Sequence, residues 1–421
     1  MFKKLKAFIN KEYFDSSEGL VDPYKYHFIC YHILRFFQVL DNEPKSKCKS
    51  FIIFILLICT TTAICMMGVS AYHGFMTSDL IRLTESGCYV IILFYQLLMF
   101  LCIVVNLPQY RVLLTTLRDD FNYICTGGAK YRERYFKNQL KIWKMCLSAV
   151  VFTSSIGVGM VMTTSLCLLW YVIIHEPGDG RKRPMLFPFW FFDIDFSATP
   201  HYEMFFTFSN FCVFDYALSY VFMIQTQIFW VGQITTKADL VIWYIQDLME
   251  GLKLPTNIEE NIQYKSEIIA RMRKIVKEHV TMYRLVENFS KVYKKLLMFE
   301  QKAAAPVVCL TAYSSAEKLS VGEINGLTMF LCIGTIIEVF IPSYLGTVLD
   351  VKLTSVAEIC LDIPFWKTGH FMRPYIILMI QRSLRKLKLN APGFEDVSVQ
   401  TFSNKMATAY SFFNMLRKLN V

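Results

Sequence analysis

The stretch Phe51–Tyr72 reads FIIFILLICTTTAICMMGVSAY and contains no charged residue. A helix that crosses the hydrocarbon core of a bilayer needs about 20 consecutive, mostly apolar residues. Three lysines, Lys45, Lys47 and Lys49, stop the apolar run on its N-terminal side. The segment is therefore predicted to be a transmembrane helix, and it places the chain among membrane proteins.

The composition supports the same class. Of the 421 residues, 54% are hydrophobic and 19% are charged, and the mean hydropathy is +0.36. A soluble domain is usually about 45–50% apolar and about 25% charged. The formal net charge of +10 could indicate nucleic-acid binding. No nucleic-acid motif accompanies it, so we expect no such partner.

Six further segments have the length and apolar content of a membrane span. They are Gly87–Leu107, Cys146–Ile174, Met204–Val231, Leu296–Tyr313, Ile324–Leu349 and 396–419. The fifth of the seven spans, Leu296–Tyr313, is the weakest because Glu300 and Lys302 lie within it. The predicted fold class is an all-α polytopic membrane protein with seven transmembrane helices.

The segments between the spans divide the chain into regions. Phe28–Leu40 is apolar but too short to span, and it predicts an interfacial or re-entrant helix. Residues 233–300 carry many charges of both signs in a helical pattern, which predicts long cytosolic helices. The divisions are an N-terminal segment 1–50, spans one to four in 51–232 with a loop at 175–202, charged helices in 233–300, spans five and six in 296–349, a cytosolic anchor region in 350–395, and the last span in 396–421.

The basic residues predict the orientation. Lys and Arg number 35 in the N-terminal segment and every second connector after it, against seven in the alternate connectors and the C-terminal tail. Basic residues accumulate on the cytoplasmic side of a membrane protein. The N-terminus is therefore predicted to be cytosolic and the C-terminus extracellular. A G-protein-coupled receptor has the opposite orientation, so the charge count opposes that alternative.

The last span has two different faces at helical spacing. One is an apolar stripe, and the other carries Asn404, Thr408 and Ser411 and runs into Met415 and Leu419. An ordinary amphipathic helix on a soluble protein would show a similar pattern. In a membrane protein, the pattern instead favours the wall of a water-filled pore that is closed by large apolar side chains. The apolar stripe consists of Phe402, Met406, Ala409, Phe413 and Leu416.

No motif indicates catalysis or a cofactor. The sequence has no glycine-rich phosphate loop, no zinc spacing and no nucleophile elbow, so neither an enzyme nor a metal site is expected. The 13 cysteines are spread singly, without a CxxC pair. A disulfide between Cys88 and Cys167 is possible, because both could lie near the outer, extracellular ends of their helices.

Several motifs in the C-terminal region resemble the C-terminal region of insect odorant receptors. They include a Ser and a Trp about a dozen residues apart, a Gln-Arg-Ser helix end, an Ala-Pro-Gly-Phe turn where the family has Gly-x-Phe, and the start and finish of the last helix. Their order and spacing match that family, and the chain resembles a ligand-tuning receptor more than the longer shared co-receptor, Orco. The segments are Ser355–Trp366, Gln381–Ser383, Ala391–Phe394, Val397–Phe402 and Ala409–Phe413.

This resemblance implies an odorant-gated, non-selective cation channel in the plasma membrane. It implies a heterotetramer with Orco, a central pore lined by the last helix of each subunit, and small volatile, mostly apolar ligands. Met415 and Leu419 would occupy the gate positions, while the role of Lys405 stays open. A G-protein-coupled chemoreceptor and a gustatory-receptor-like channel are the alternatives.

The resemblance also implies where a ligand would lie, among spans two, three, four and six in the outer half of the bundle. The aromatic segment 184–192 could cover the site or lie in the membrane interface as an aromatic belt. The candidate ligand-binding residues are Tyr89, Ile92, Met160, Thr164, Trp170, Phe208, Phe211, Cys212, Met329 and Cys332.

Overall fold

A computed structural model describes residues 2–14, 19–40, 46–127, 129–174, 183–192, 194–252, 257–320, 326–363, 370–385 and 396–419. Regular structure in these ranges is helical, and they contain no strand. The α-helices in chain order are α1 Phe2–Asn10, α2 Pro23–Tyr26, α3 Phe28–Phe36, α4 Lys47–Met76, α5 Leu80–Val105, α6 Leu107–Thr126, α7 Arg132–Ile174, α8 His201–Gln246, α9 Ile258–Ser320, α10 Gly326–Leu361, α11 Arg373–Leu384 and α12 Val399–Leu419.

Five of the described helices are long and apolar enough to cross a membrane. They belong to α4, α5, α7, α8 and α10, which correspond to the first, second, third, fourth and sixth predicted spans. The other two predicted spans lie in α9 and α12, in which polar residues interrupt the apolar sequence. Both pack inside the bundle: α9 contacts α5, α8 and α10, and α12 packs on α9 and α10.

The outer faces of α4 and α7 are apolar and exposed. Phe51 and Phe54 on α4 are 63% and 59% exposed, and Trp170 and Ile173 on α7 are 67% and 69% exposed. A soluble protein rarely exposes such continuous apolar surface, whereas a membrane protein presents it to lipid. The two helices therefore have the surface of lipid-facing elements.

A tight turn joins α4 to α5. Asp79 caps α5, because its Oδ1 accepts a hydrogen bond from the backbone amide of Arg82 at 3.0 Å. Gly74, near the end of α4, allows the helices to approach closely: a Cβ there would lie 2.9 Å from the backbone nitrogen of Leu83. The first two spans thus form a helical hairpin.

Two helices are much longer than the bilayer requires. Helix α8 has 46 residues and α9 has 63, whereas about 20 residues cross the hydrocarbon core. The predicted charged helices of 233–300 are therefore continuations of the fourth and fifth spans, separated by the connection between Gln246 and Ile258. The described part of the sixth predicted span, from Gly326 onward, likewise belongs to a helix that continues to Leu361.

The basic connector after the second span is helical as well. Helix α5 ends at Val105 and α6 begins at Leu107 with Pro108 in its first turn. A proline interrupts a helix interior but is tolerated in the first turn, where its missing N–H has no helical partner. The break therefore changes the direction of the chain while helical structure resumes at once.

The N-terminal segment folds onto the bundle. Helix α3 packs on α8 with Cys30 and Leu34 buried, where the sequence predicts an interfacial or re-entrant helix. Lys11 is 4% exposed, and its ammonium nitrogen lies 3.9 Å from the centre of the Trp143 ring. Such cation–π contacts are strongest where water is excluded. The segment is thereby attached to α7.

An ion cluster joins three helices at one end of the bundle, which we call the charged end. The Lys237 ammonium of α8 lies 2.5 Å from Asp120 Oδ1 of α6 and 2.5 Å from Glu278 Oε2 of α9. Lys237 is 4% exposed. Burial raises the pKa of Asp120 to about 6 although the nearby Lys237 opposes this shift. A buried charge of this kind is tolerated because both partners surround it.

Candidate ligand cavity and pore helix

An apolar cavity, which we call the principal cavity, lies between α5, α7, α8 and α10, beneath the segment 184–192. Its volume is about 80 Å³, several times the space that one buried water molecule needs. The lining residues are Tyr89, Ile92, Leu93, Phe152, Thr153, Ile156, Gly157, Met160, Phe187, Cys212, Val213, Tyr216, Ala217, Tyr220, Phe330, Leu331, Gly334, Thr335 and Glu338.

The segment 184–192 covers this end of the bundle, which we call the loop end. Leu186, Phe187 and Phe189 are buried there and join the apolar cluster around Tyr89 and Met160. Three hydroxyl groups hold the segment by its backbone. Ser70 donates to the Pro188 carbonyl at 2.6 Å, Tyr202 to the Pro184 carbonyl at 2.8 Å, and Tyr89 to the Leu186 carbonyl at 3.5 Å.

The polar groups of the cavity are concentrated around one carboxyl. Tyr216 on α8 donates its hydroxyl hydrogen to Glu338 Oε1 on α10 at 2.6 Å. The rings of Tyr216 and Tyr220 are parallel within 4°, with their centres 6.2 Å apart. Most of the remaining lining is apolar or aromatic, so Glu338 is the strongest hydrogen-bonding group that the cavity presents.

A second, smaller cavity adjoins the first and reaches α9. It shares Ile92, Tyr216, Thr335 and Glu338 with the principal cavity and has a volume of about 40 Å³. Glu300 of α9 lines it and accepts a hydrogen bond from the Tyr95 hydroxyl at 2.9 Å. This contact explains how the fifth span holds a glutamate: the side chain faces the bundle interior, where it has a donor.

The sequence-predicted ligand residues divide into two groups. Tyr89, Ile92, Met160 and Cys212 line the principal cavity. The other six do not line it, although Phe208 packs in the adjoining apolar cluster. Thr164 is buried, and its hydroxyl donates to a backbone carbonyl of its own helix. Cys332 is half-buried. The last three are exposed, by 67% for Trp170, 37% for Phe211 and 48% for Met329.

Sequence reasoning missed the polar centre of the cavity. Glu338 lies inside the sixth span, and an ionisable residue in a membrane span usually has a functional role. That signal was present in the sequence and could have identified the residue. Phe152 and Phe330 carried no comparable signal, because aromatic residues are common throughout these helices.

The last helix, α12, presents the two faces that its spacing predicts. The apolar stripe packs on Ala305, Val308 and Cys309 of α9 and on Ile336 of α10. On the other face Asn404, Thr408, Ser411 and Met415 are all exposed. Leu419 ends the helix, and its side chain lies outside the described part of the structure. The polar face therefore has no covering element among the described residues.

A close approach between two backbones fixes where α12 begins. A Cβ added to Gly346 of α10 would lie 2.2 Å from the carbonyl oxygen of Val397. The backbone amide of Val399 also donates to Thr347 Oγ1 at 3.0 Å. Glycine is required at this position because any side chain would displace the entry of α12.

Cys88 and Cys167 are both free thiols, Cys88 buried and Cys167 exposed, so the disulfide considered from the sequence is absent from the structure. Within the described ranges, no three His, Cys, Asp or Glu side chains are grouped as metal ligands.

Comparison with known proteins identifies the family. The family model for the 7tm odorant receptor matches residues 79–410, well over half of the chain. The chain belongs to the insect odorant receptor family. Odorant receptors are chemoreceptors and not enzymes, and the all-α, seven-transmembrane fold predicted from the sequence is confirmed.

Individual odorant receptors show how far the similarity extends. Odorant receptor 85f of Drosophila melanogaster is 25% identical over 161 residues, which is 38% of this chain and 40% of that protein. Putative odorant receptor 92a of the same organism is 18% identical over 318 residues, or 74% and 73% of the two chains. The match to receptor 85f thus spans about two fifths of that relative.

Solved structures show the same fold. The insect olfactory receptor OR5 from Machilis hrabei superposes with a TM-score of 0.68 at 13% identity, over 93% of this chain and 99% of that one. The same receptor in complex with eugenol gives a TM-score of 0.72 at 12% identity, over 94% and 100%. The seven-span arrangement therefore includes α9 and α12.

Proposed function

We propose that this odorant receptor is the ligand-tuning subunit of an odorant-gated, non-selective cation channel in the plasma membrane of a sensory neuron. It would assemble with the co-receptor Orco in a heterotetramer. The observation that carries the proposal is the exposed polar face of α12. A helix with one face packed on α9 and α10 and the other uncovered is suited to line a pore at the centre of an assembly.

In this proposal Asn404, Thr408 and Ser411 line the water-filled path. Met415 and Leu419 form an apolar constriction that excludes water when the channel is closed. The hydroxyls of Thr408 and Ser411 donate to backbone carbonyls of their own helix, at 2.9 and 3.0 Å. The lone pairs of their oxygens then face the pore, which favours cations over anions.

The principal cavity is the proposed odorant site. Tyr89, Ile92, Met160 and Cys212 would contact the ligand, and the 184–192 segment would separate it from water. A mostly apolar cavity with few polar groups suits a small volatile molecule. The recorded complex of Machilis hrabei OR5 with eugenol supports ligand binding by proteins of this fold.

The orientation remains as the basic residues predict, with a cytosolic N-terminus and an extracellular C-terminus. The charged end of the bundle would then lie in the cytosol and the loop end outside. Helices α8 to α11 would form the cytosolic anchor between subunits, because their charged continuations project beyond the bilayer.

The test is current recording in cells that express the chain with and without Orco, across an odorant panel and with G-protein signalling blocked. A channel subunit gives odorant-evoked cation current that persists under the block and changes its ligand preference when this chain is added. A G-protein-coupled receptor loses the response. Responses identical to those of Orco alone, despite normal surface expression, would reject the proposal.

A further inference from the structure

We propose that the principal cavity selects molecules whose polar head group is a hydrogen-bond donor, and that Glu338 is the residue that recognises the donor. The inference rests on the proposed odorant-binding function and specifies the chemical class of the ligand. The expected ligand is a small, mostly apolar alcohol, phenol or amine.

The first argument concerns the acceptor. A carboxylate offers about four lone-pair positions, and among the described residues Tyr216 donates to one oxygen of Glu338. Glu338 is half-buried, and it lines both cavities. Acceptor capacity therefore remains at a group that lines both cavities. A ligand that donates a hydrogen bond there satisfies a polar group that lies away from bulk solvent.

The second argument concerns the hydroxyl donors of the cavity, of which those of Thr153, Thr335 and Tyr89 are already used. The hydroxyl of Thr153 donates to the Ala149 carbonyl at 2.8 Å, and that of Thr335 to the Cys332 carbonyl at 3.0 Å. The Tyr89 hydroxyl is directed at the backbone of the covering segment. Among the described lining hydroxyls, the oxygen of a ketone, ester or ether would thus depend on Tyr220 alone for a donor when it leaves water.

Two further features of the cavity lining also favour a ligand that donates a hydrogen bond. Neither cavity is lined by Lys, Arg or His, so the described residues place no basic group beside Glu338 there. Six aromatic rings line the principal cavity, and ring faces attract a cation. A carboxylic acid would place its carboxyl beside that of Glu338, and two neighbouring carboxyls in a low-dielectric site disfavour each other's ionised form. Tyr220, the remaining hydroxyl, interacts electrostatically with the carboxyls of Glu338 and Glu300.

The experiment compares matched ligands on matched variants. The probes are 2-phenylethanol, 2-phenylethylamine, and the methyl ether and acetate of 2-phenylethanol, which share one apolar body. Half-maximal concentrations are measured as currents with Orco, and binding is measured as the thermal shift of the purified receptor complex. The alcohol and amine arms distinguish a neutral donor from a charged one.

The variants separate recognition from folding. Glu338→Leu alone leaves the Tyr216 hydroxyl without its acceptor. The double variant Tyr216→Phe with Glu338→Leu removes both hydrogen-bonding partners and keeps side chains of similar shape. Tyr216→Phe alone preserves Glu338 and should keep the preference for donors. Glu300→Gln is the control, because Glu300 lines the second cavity and is absent from the lining of the first.

We expect a donor ligand to act at a concentration about 10-fold below its methyl ether, since one hydrogen bond contributes a factor of up to about this size. In the double variant the ratio of the half-maximal concentration of the methyl ether to that of the donor ligand should fall to about 3-fold or less. Tyr216→Phe and Glu300→Gln should retain the wild-type ratio.

Several results would overturn the inference. One is equal potency of the ether, the acetate and the alcohol on the unmodified chain, and another is an unchanged ratio in the double variant. Ester activity that depends on Tyr220 would also contradict it. Currents without donor preference would leave the channel proposal standing and reject this one. A donor-selective thermal shift without any current would reject the channel proposal and leave this inference standing. The absence of both the thermal shift and the current would reject both proposals.

Discussion

The Lys405 ammonium of α12 donates a hydrogen bond to the backbone carbonyl of Gln301 on α9, over a distance of 2.6 Å. The charge inside the last predicted span therefore points sideways and contacts the neighbouring helix. Gln301 also donates to Ser343 Oγ of α10 at 3.2 Å. Lys405 thus joins α12 to the pair of helices on which it packs.

The first prediction follows from this contact. Lys405→Met removes the hydrogen bond but retains much of the apolar stem, so we expect a loss of about 1 kcal/mol, typical of a hydrogen bond between membrane helices. The measurement is the melting temperature of the purified receptor complex. Lys418→Met is the control, since Lys418 is exposed at the end of the same helix. An equal effect of the two substitutions would show that the contact contributes nothing.

The second prediction concerns the gate. Met415 is 51% exposed on the polar face, whereas Leu416 packs in the cluster with α9. Met415→Ser and Leu419→Ser should therefore raise odorant-independent current, because a polar side chain lets water enter an apolar constriction. Leu416→Ser should instead reduce surface expression, since it places a hydroxyl in packed apolar surroundings.

Basal current and surface labelling are measured on the same cells for all three gate variants. Unchanged basal current and ion selectivity at normal expression, for the substitutions at 415 and 419, would exclude these residues from the pore.

The third prediction concerns the entry of α12. Gly346→Ala places a methyl group against the Val397 carbonyl, and overpacking of this kind costs about 1–3 kcal/mol. Surface expression or thermal stability should fall accordingly. Gly68→Ala is the matched control, because a Cβ there meets no atom within 4 Å in α4. We expect it to be neutral or slightly stabilising, since alanine favours a helix. Equal loss in both variants would contradict the close approach.

The fourth prediction is a pH dependence at the contact between α9 and α11. His279 is buried, and its ring nitrogen Nε2 lies 3.1 Å from Ser383 Oγ. Burial lowers the pKa of His279 to about 4, and the charge of Arg382 adds to the shift. Between pH 6.5 and pH 4 the unfolded chain thus binds a proton that the folded chain excludes, so stability falls as the pH falls through this range.

His279→Gln should remove the part of the pH dependence of stability that comes from His279. The melting temperature should decrease less between pH 7.5 and pH 5 in the variant than in the unmodified chain, while His370→Gln, at an exposed position, should leave the decrease unchanged. A variant with the full pH dependence would show that His279 is not responsible.

The fifth prediction is the orientation. Epitope tags at both termini are stained in intact and in permeabilised cells. The C-terminal tag should be accessible in intact cells and the N-terminal tag only after permeabilisation, because the basic connectors are retained in the cytosol. An N-terminal tag exposed on intact cells would favour the G-protein-coupled receptor alternative.

The two faces of α12 could be predicted from the sequence because helical spacing alone places Phe402 and Met406 on one side and Asn404 and Thr408 on the other. Five of the seven spans were predictable from hydropathy and length. The continuation of α8 to Gln246 was not predicted as such, because a helix that leaves the membrane loses its apolar signal without ending.

The cavity was only partly predictable. Tyr89 and Cys212 were assigned to the ligand site by the family resemblance, but Trp170 faces outward on α7. Which side of a span faces the bundle depends on the rotation of the helix, and a span that is apolar all round does not encode that rotation. The pairing of Tyr216 with Glu338 depends on the register of two helices, which sequence spacing does not determine.

The unbroken course of α8 gives the receptor a mechanical link between its two ends. The same helix carries Tyr216 in the cavity wall and Lys237 in the ion cluster, 21 positions apart, or about 32 Å along the axis. A helix without a break moves as one rigid element. A ligand that rotates α8 at the cavity must therefore also rotate Lys237 relative to Asp120 and Glu278. The strength of these two ion pairs then determines how much of the rotation is transmitted to the far end of α8.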